Sequence, residues 1–334
     1  MSRHRVFLTH TPHMLDSYYG PRAVAALRDM ADVVINPTGE AMDEAALIAH
    51  AQGFPIIVSD RLTPGYAGFF RKAPDLVAFL RCAVDIRNVD VEAASAEGIL
   101  ATRATPGFIA SVSELGFGMM IDLARHVSAS VGHYRAGGEP MAAMGRQLQG
   151  STIGIVGYGA IGVRMGELAR AFGMTVLVAD PYKTIDEAGI RQVPFETLLA
   201  ESDFVVCLVV ATEATENLMD ARAFARMKPS AFFVNLSRGN LVDEAALQDA
   251  LDAKRIAGAA MDVGRAPDQK PSLFLASRND VVATPHTGGL TPAAIEHQAF
   301  DTVAQVRALV SGEIPPGAVN TEAATRLHRL RREP

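Results

Sequence analysis

Apolar residues in this chain fall into short unbroken blocks, separated by stretches in which they recur every three or four positions. The first series of blocks is Val6-Phe7-Leu8, Val33-Val34-Ile35, Pro55-Ile56-Ile57-Val58, Val77-Ala78-Phe79-Leu80 and Ile99-Leu100-Ala101. Blocks of this size without alternation fit strands buried on both faces of a parallel sheet. A second series follows at residues 153–156, 176–179, 204–208, 232–236, 258–261 and 281–283. Strands alternating with helical patterns predict two parallel α/β sheets. Between the series, residues 111–127 place Val112, Leu115, Met119, Leu123 and Val127 at helical spacing, which predicts a long connecting helix. Residues 292–311 predict a further helix, which returns the chain to the first sheet and makes that domain discontinuous.

The junction of the first strand and helix of the second series carries a specific signal. Thr152-Ile153-Gly154-Ile155-Val156 runs directly into Gly157-Tyr158-Gly159-Ala160-Ile161-Gly162, and residues 163–172 continue as a helix. The first glycine permits a tight turn, the second lets the backbone approach a pyrophosphate, and the third lets helix pack on strand. The phosphates then sit at the positive helix end. Spacing alone would carry little weight, but the next apolar strand ends in Asp180, where a carboxylate accepts hydrogen bonds from an adenosine ribose diol and repels a 2′-phosphate. The expected cofactor is NAD. The expected fold class is α/β, with two Rossmann-like or flavodoxin-like domains built on parallel sheets. A nucleotide domain of residues 105–289 is inserted into a discontinuous substrate domain of residues 1–104 and 290–334, with the cleft between them.

Composition narrows the function classes. The 334 residues, 49% apolar and 20% charged, suit an ordinary globular protein of about two domains. The net charge of −6 is dispersed, and the one basic cluster, residues 326–332, has no interleaved aromatics, which leaves nucleic-acid binding unsupported. Cys82 and Cys207 lie in apolar surroundings with no metal-ligand or CxxC spacing, so reduced thiols, a cytoplasmic setting and no metal site are expected. The N-terminal apolar run is too short for a signal peptide, and the longest apolar run, residues 204–211, falls well short of the roughly 18 residues a membrane span needs.

Several segments in order resemble the D-isomer-specific 2-hydroxyacid dehydrogenases. They are the glycine loop, Phe172-Gly173-Met174, Asp180-Pro181, residues 235–247 (which contain Ser237-Arg238-Gly239), residues 258–263, and Pro285-His286-Thr287-Gly288-Gly289, with a weaker match over residues 81–98. The resemblance implies reversible hydride transfer between a nicotinamide and C2 of a small 2-oxo or D-2-hydroxy acid, in a homodimer joined through the helix of residues 111–127. Arg238 follows a sheet strand, where α/β ligands bind, and its planar fork suits a carboxylate. His286 follows the last strand and is the expected acid/base, since imidazole gives and takes a proton near neutral pH. The resemblance further implies Ile161 near the pyrophosphate, Thr212 in the loop after residues 204–208, Asp262 near the nicotinamide carboxamide, and His286 and Gly288 against the cofactor.

The chain departs from the family twice. Relatives pair the histidine with a glutamate five residues beyond the aspartate that here is Asp262, but that position is Pro267. Relatives also place this glutamate seven residues before a leucine that lies eleven residues before the histidine, which leads from His286 to Leu275 and then to Asp268. Asp268 is therefore expected to orient His286 and stabilise the imidazolium, with Gln269 as the competing neutral partner, as in formate-dehydrogenase-like relatives. In the first domain, a loop that is glycine-rich in relatives reads Ala83-Val84-Asp85-Ile86-Arg87. Ala83 and Val84 still offer backbone donors to a substrate carboxylate, while Asp85 and Arg87 either pair with each other or reshape the pocket. His10, His13, Tyr18 and Tyr19, in the loop after the first strand, are candidates for selecting among substrates. The expected activity is that of a 2-oxoacid reductase. The alternatives are a formate- or phosphite-type dehydrogenase and a non-catalytic NAD-sensing protein, and the presence of Arg238 together with His286 argues against the second. No regulatory domain is expected after about residue 320, which disfavours an end-product-regulated phosphoglycerate dehydrogenase.

Overall fold

The computed structural model describes residues 3–330; Arg331 and Arg332 of the basic cluster lie outside the described residues. The chain forms two compact units. One comprises the residues up to Gly107 and those from Pro292 on, and the other comprises Phe108–Thr291.

In the first unit, β1 (His4–Leu8), β2 (Ala31–Ile35), β3 (Ile56–Ser59), β4 (Ala78–Arg81) and β5 (Leu100–Arg103) form a parallel sheet in the order β2-β1-β3-β4-β5. Both faces are covered, which is why the strand sequences do not alternate. Val6, Leu8, Ile56, Val58 and Leu80 pack with Ala299, Val303 and Val306 of the helix Pro292–Val310. Phe7, Ile57 and Phe79 pack on the other face with Phe69 and Phe70. The returning C-terminal segment is tied to β5: Val319 N donates to Ala101 O at 3.0 Å, and Thr102 Oγ1 donates to Gln305 Oε1 at 2.7 Å.

The second unit holds β6 (Thr152–Val156), β7 (Thr175–Ala179), β8 (Ile190–Gln192), β9 (Phe204–Cys207), β10 (Phe232–Asn235), β11 (Gly258–Met261) and β12 (Val281–Ala283). All are parallel, in the order β12-β11-β10-β9-β6-β7-β8. The strand order reverses between β6 and β9, so this is where a nucleotide crevice opens in such a sheet. β8 has no counterpart in the apolar blocks. It is a three-residue edge strand with Arg191 and Gln192 exposed, so its pairing is specified by the backbone and not by hydrophobicity. The apolar run at residues 204–211 ends as a strand at Cys207, and Val210 beyond it is exposed.

The connecting helix spans Ile109–Arg125 and buries Val112, Phe117, Met119, Met120 and Leu123 in the same core as Ile153, Ile155, Val176 and Val234. It stops at His126, which is left-handed at φ 54°, where the periodicity had predicted continuation to residue 127; a second helix, Val127–Arg135, follows with no buried residue. Both cysteines are buried free thiols. No helix among the described residues is long and apolar enough to cross a membrane, and no group of three or more His, Cys, Asp or Glu side chains among them is placed to hold a metal ion.

Candidate active site

The glycine loop joins β6 to the helix Ala160–Ala171. Gly157 is left-handed at φ 90°, and a Cβ there would come within 3.0 Å of the backbone of Leu208 and Val209, so only glycine lets the β6 and β9 loops touch at the switch point. A Cβ on Gly162 would lie 2.6 Å from Gly157 O, whereas one on Gly159 would meet nothing within 4 Å. Open space therefore faces the first turn of a helix whose N-cap makes no side-chain hydrogen bond, leaving N–H donors for an anion. Asp180, at the end of β7, accepts from Tyr158 N and Tyr182 N, both at 2.9 Å, which fixes its carboxylate beside the loop. These features fit a dinucleotide.

Not every residue of the motif faces that space. The Tyr158 side chain turns into the core and donates to Glu187 Oε2 at 2.7 Å, so Tyr158 contributes only its main chain to the loop. Ala160 is exposed at the first helical position, and Ile161 packs partly against the core. Thr212 is exposed after β9, its N–H donating to Thr215 Oγ1 at 2.8 Å.

The carboxyl ends of β10, β11 and β12 bring Arg238, Asp262 and His286 onto one edge. Arg238 is half-buried and donates to Ser237 O at 2.7 Å. Asn235 shapes its turn, donating to Arg238 O at 3.0 Å and accepting from Ser237 N at 3.1 Å. Asp262 is buried, and both its oxygens serve the loop that carries His286: Oδ1 accepts from Thr284 Oγ1 and Thr287 N at 2.7 Å, and Oδ2 accepts from Gly288 N at 2.8 Å. Gly288 has no room for a side chain, since a Cβ would lie 2.7 Å from Asp262 Oδ2.

Asp268 does meet His286, but through its main chain. His286 Nδ1 lies 3.0 Å from Asp268 O, and the oxygen is presented by two consecutive left-handed residues, Asp268 at φ 60° and Gln269 at φ 55°. His286 is itself left-handed at φ 59°. The Gln269 side chain leaves its Oε1 buried without a hydrogen-bond partner.

In the first unit, Ala83 and Val84 are half-buried after β4, and neither N–H donates to an acceptor among the described residues. Asp85 and Arg87 pair bidentately at the surface, Arg87 Nε on Oδ1 at 3.0 Å and Nη2 on Oδ2 at 2.6 Å. The expected loop after β1 is largely a helix, Pro12–Tyr18; His10 and Tyr19 flank it and are fully buried with ring centroids 4.7 Å apart, so neither presents a side chain at the surface, while His13 and Tyr18, on the helix, are more exposed.

Residues 117–288 match the model of the D-isomer specific 2-hydroxyacid dehydrogenase NAD-binding domain. The chain is also 34% identical over 285 residues to a glyoxylate reductase of Korarchaeum cryptofilum, covering 83% of this chain and 86% of that one. The chain belongs to the D-isomer-specific 2-hydroxyacid dehydrogenase family. As a member it is an NAD-dependent oxidoreductase. A D-3-phosphoglycerate dehydrogenase of Mycobacterium leprae is 34% identical over 306 residues, covering 90% of this chain; the chain spans only 57% of that relative's length. The crystal structure of the TT0316 protein from Thermus thermophilus superposes with a TM-score of 0.83 at 28% identity, covering 94% of this chain and 99% of that one.

Three residues that brace this dehydrogenase's site were not singled out from the sequence. Asn235 is one, reading only as the end of an apolar strand. Glu244 is another: it looks like an ordinary first-turn acid, yet it is buried, and it accepts from Arg265 N at 2.9 Å and Ser272 Oγ at 2.5 Å at the two ends of the loop that presents Asp268. Arg265 is the third, with Nε on Val242 O at 3.0 Å and Nη2 on Glu216 at 2.8 Å. The one legible sign of this crowding is Gly239, where a Cβ would overlap the Gly264 backbone.

Proposed function

We propose that the protein interconverts a 2-oxo acid and a D-2-hydroxy acid, working as a 2-oxoacid reductase. The observation that carries this reading is the contact between His286 Nδ1 and the Asp268 carbonyl. A carbonyl only accepts, so Nδ1 keeps its proton and Nε2 is the nitrogen that exchanges one with substrate. Bound NADH supplies the hydride for C2. As the C2–O π bond breaks, protonated His286 gives its Nε2 proton to the oxygen, so that one C–H and one O–H bond form; oxidation reverses each step. Arg238 binds the carboxylate and offsets its charge, since a guanidinium keeps its proton across the working range. Ala83 and Val84 offer main-chain N–H groups to the carboxylate. The other assignments are the glycine loop with Ile161 for the pyrophosphate, Asp180 for the ribose, and Thr212, Asp262, His286 and Gly288 for the remainder of the dinucleotide.

NADH oxidation against glyoxylate, hydroxypyruvate, pyruvate and phenyl or branched 2-oxo acids tests the reading, with Arg238→Ala as control. We expect turnover of at least one acid and a loss of about 10²–10³-fold in the control, the scale of removing a charged donor from an active site. A silent panel with NADH still bound overturns it in favour of formate or phosphite oxidation or a binding-only role.

The same reading includes a homodimer. Of the helix expected to carry the interface, Ile121 and Val127 are exposed, and beyond it so are Val131, Tyr134, Met141 and Met144, the last two at 92% and 96%, apolar side chains that a second copy would cover. Sedimentation at micromolar concentration should show a dimer; a monomer removes this part of the proposal.

A further inference from the structure

Beneath the loop after β4 lies a charged cluster with no role so far. Arg81, the last residue of β4, is 3% exposed, and Asp60, just after β3, is 1% exposed. Burying an ion is costly unless its hydrogen-bonding groups are satisfied. Asp60 meets this requirement locally, accepting from Thr9 Oγ1 at 2.7 Å, Leu62 N at 2.6 Å, Thr63 N at 3.1 Å and Thr63 Oγ1 at 2.8 Å. Burial opposes its ionisation, but the Thr9 bond and the other donors outweigh it and hold the carboxyl below its usual range. Arg81 spends its donors on carbonyls of two different loops. Nη1 reaches Asp60 O and Thr63 O and Nη2 reaches Arg61 O at 2.7 Å, all after β3, while Nε reaches Asp85 O at 3.3 Å, after β4.

That last bond ties down the loop that carries the Ala83 and Val84 donors, through the peptide after Asp85 and not through their own. In a trans peptide the C=O and the following N–H point in opposite directions. Ala83 O is taken by Ala104 N at 3.0 Å, which turns Val84 N–H away from β5, and Asp85 O is taken by Arg81, which turns Ile86 N–H away from the cluster. Two carbonyls thus fix the peptide planes of a loop in which relatives carry glycines, and the Asp85–Arg87 pair bridges its outer edge.

We propose that Arg81 is a positioning residue for substrate binding. It clamps the loop after β4 to the loop after β3 and so presets the main-chain donors that receive the carboxylate of the 2-oxo acid. The inference rests on the proposed reductase reading for its link to substrate, whereas the clamp itself has an independent readout. Lysine cannot reproduce it, because a single ammonium on a flexible stem cannot span carbonyls of both loops as a planar guanidinium does.

The test compares wild type with Arg81→Lys by hydrogen exchange over residues 82–88 and by steady-state kinetics with the best 2-oxo acid. We expect exchange in that segment to accelerate and KM for the acid to rise about tenfold, with kcat changing less and NADH affinity unchanged; tenfold corresponds to one hydrogen bond to a charged group. Unchanged exchange overturns the clamp whether or not any acid is turned over, and faster exchange with unchanged KM overturns its role in substrate binding. A uniform loss of stability and NADH affinity would mark Arg81 as merely structural. If Arg81→Lys does not fold, the double variant Arg81→Gln with Asp60→Asn removes both buried charges together and is held to the same outcomes.

Discussion

At the edge of the seven-stranded sheet the side chains proposed to react, Arg238 and His286, are part-exposed, and they are held from behind by main-chain groups and by buried Asp262. At the edge of the five-stranded sheet the arrangement is inverted: the charged side chains of Asp60 and Arg81 are buried and hold main chain, and the groups left open are the N–H donors of Ala83 and Val84. A side chain that does chemistry leaves a residue-type signature in sequence. A peptide N–H that does the same work leaves none, and only its buried supports distinguish it.

The largest effect that would sharpen this contrast is expected at Glu244. Replacing it with Ala leaves Arg265 N and Ser272 Oγ without their acceptor at the ends of the His286-holding loop. We expect a loss of about 2 kcal/mol of stability from denaturant titration and a fall in kcat with little change in NADH affinity. Equal losses of kcat and NADH binding would break the idea that this brace serves the histidine.

Acid should strike the other sheet. Burial lowers the His10 pKa to about 4, against the Asp60 charge that raises it and with the Arg81 charge adding to the lowering. Because the unfolded imidazole still titrates near 6.5, the unfolded chain binds more protons between those values. Stability is therefore complete above about pH 6.5 and is lost as pH falls toward 4, by about 2 kcal/mol at pH 5. Asp60, whose folded pKa is also depressed, adds a loss of the same sign at lower pH. Thermal melts from about pH 7 to 5 should show the decline, and His10→Phe, which keeps a ring against Tyr19, should flatten it. An unchanged slope in that variant would place the sensitivity elsewhere.

A smaller effect separates conformation from charge at Asp268. Asn tolerates the left-handed backbone and Val does not, at a cost of about 1–2 kcal/mol. Asp268→Val should lower kcat more than Asp268→Asn; the reverse order would make the carboxylate, and not the carbonyl, the group that matters. The smallest change is expected at the surface: Arg87→Ala should shift stability by less than about 1 kcal/mol, since both members of its pair are largely exposed.

Much of the fold was legible because eleven of the twelve strands carry an apolar block, and β8 escaped because Ile190-Arg191-Gln192, with two exposed polar residues, carries no such pattern. Arg238 and His286 stood out as candidates because each is a reactive residue type standing just past an apolar strand. Arg81 and Glu244 were not, because charged residues beside a strand end or a helix start usually face water, and nothing local announces that these are buried. His126 ends its helix in a left-handed conformation, with Asp122 Oδ1 accepting from Ser128 N across the break, inside an otherwise continuous apolar repeat.

The discontinuity of the first unit has a consequence for how the molecule is made. Strand β5 is completed by Val319 and its flank by Gln305, both more than 200 residues downstream, whereas the second unit is one continuous stretch whose ends meet, with Ser111 Oγ and Thr291 Oγ1 2.7 Å apart. A chain emerging from the ribosome therefore has every residue of the inserted unit in hand before the unit that began first can close. The nucleotide-binding unit is the natural candidate to fold first, and it is also the part that can be cut out as a single segment.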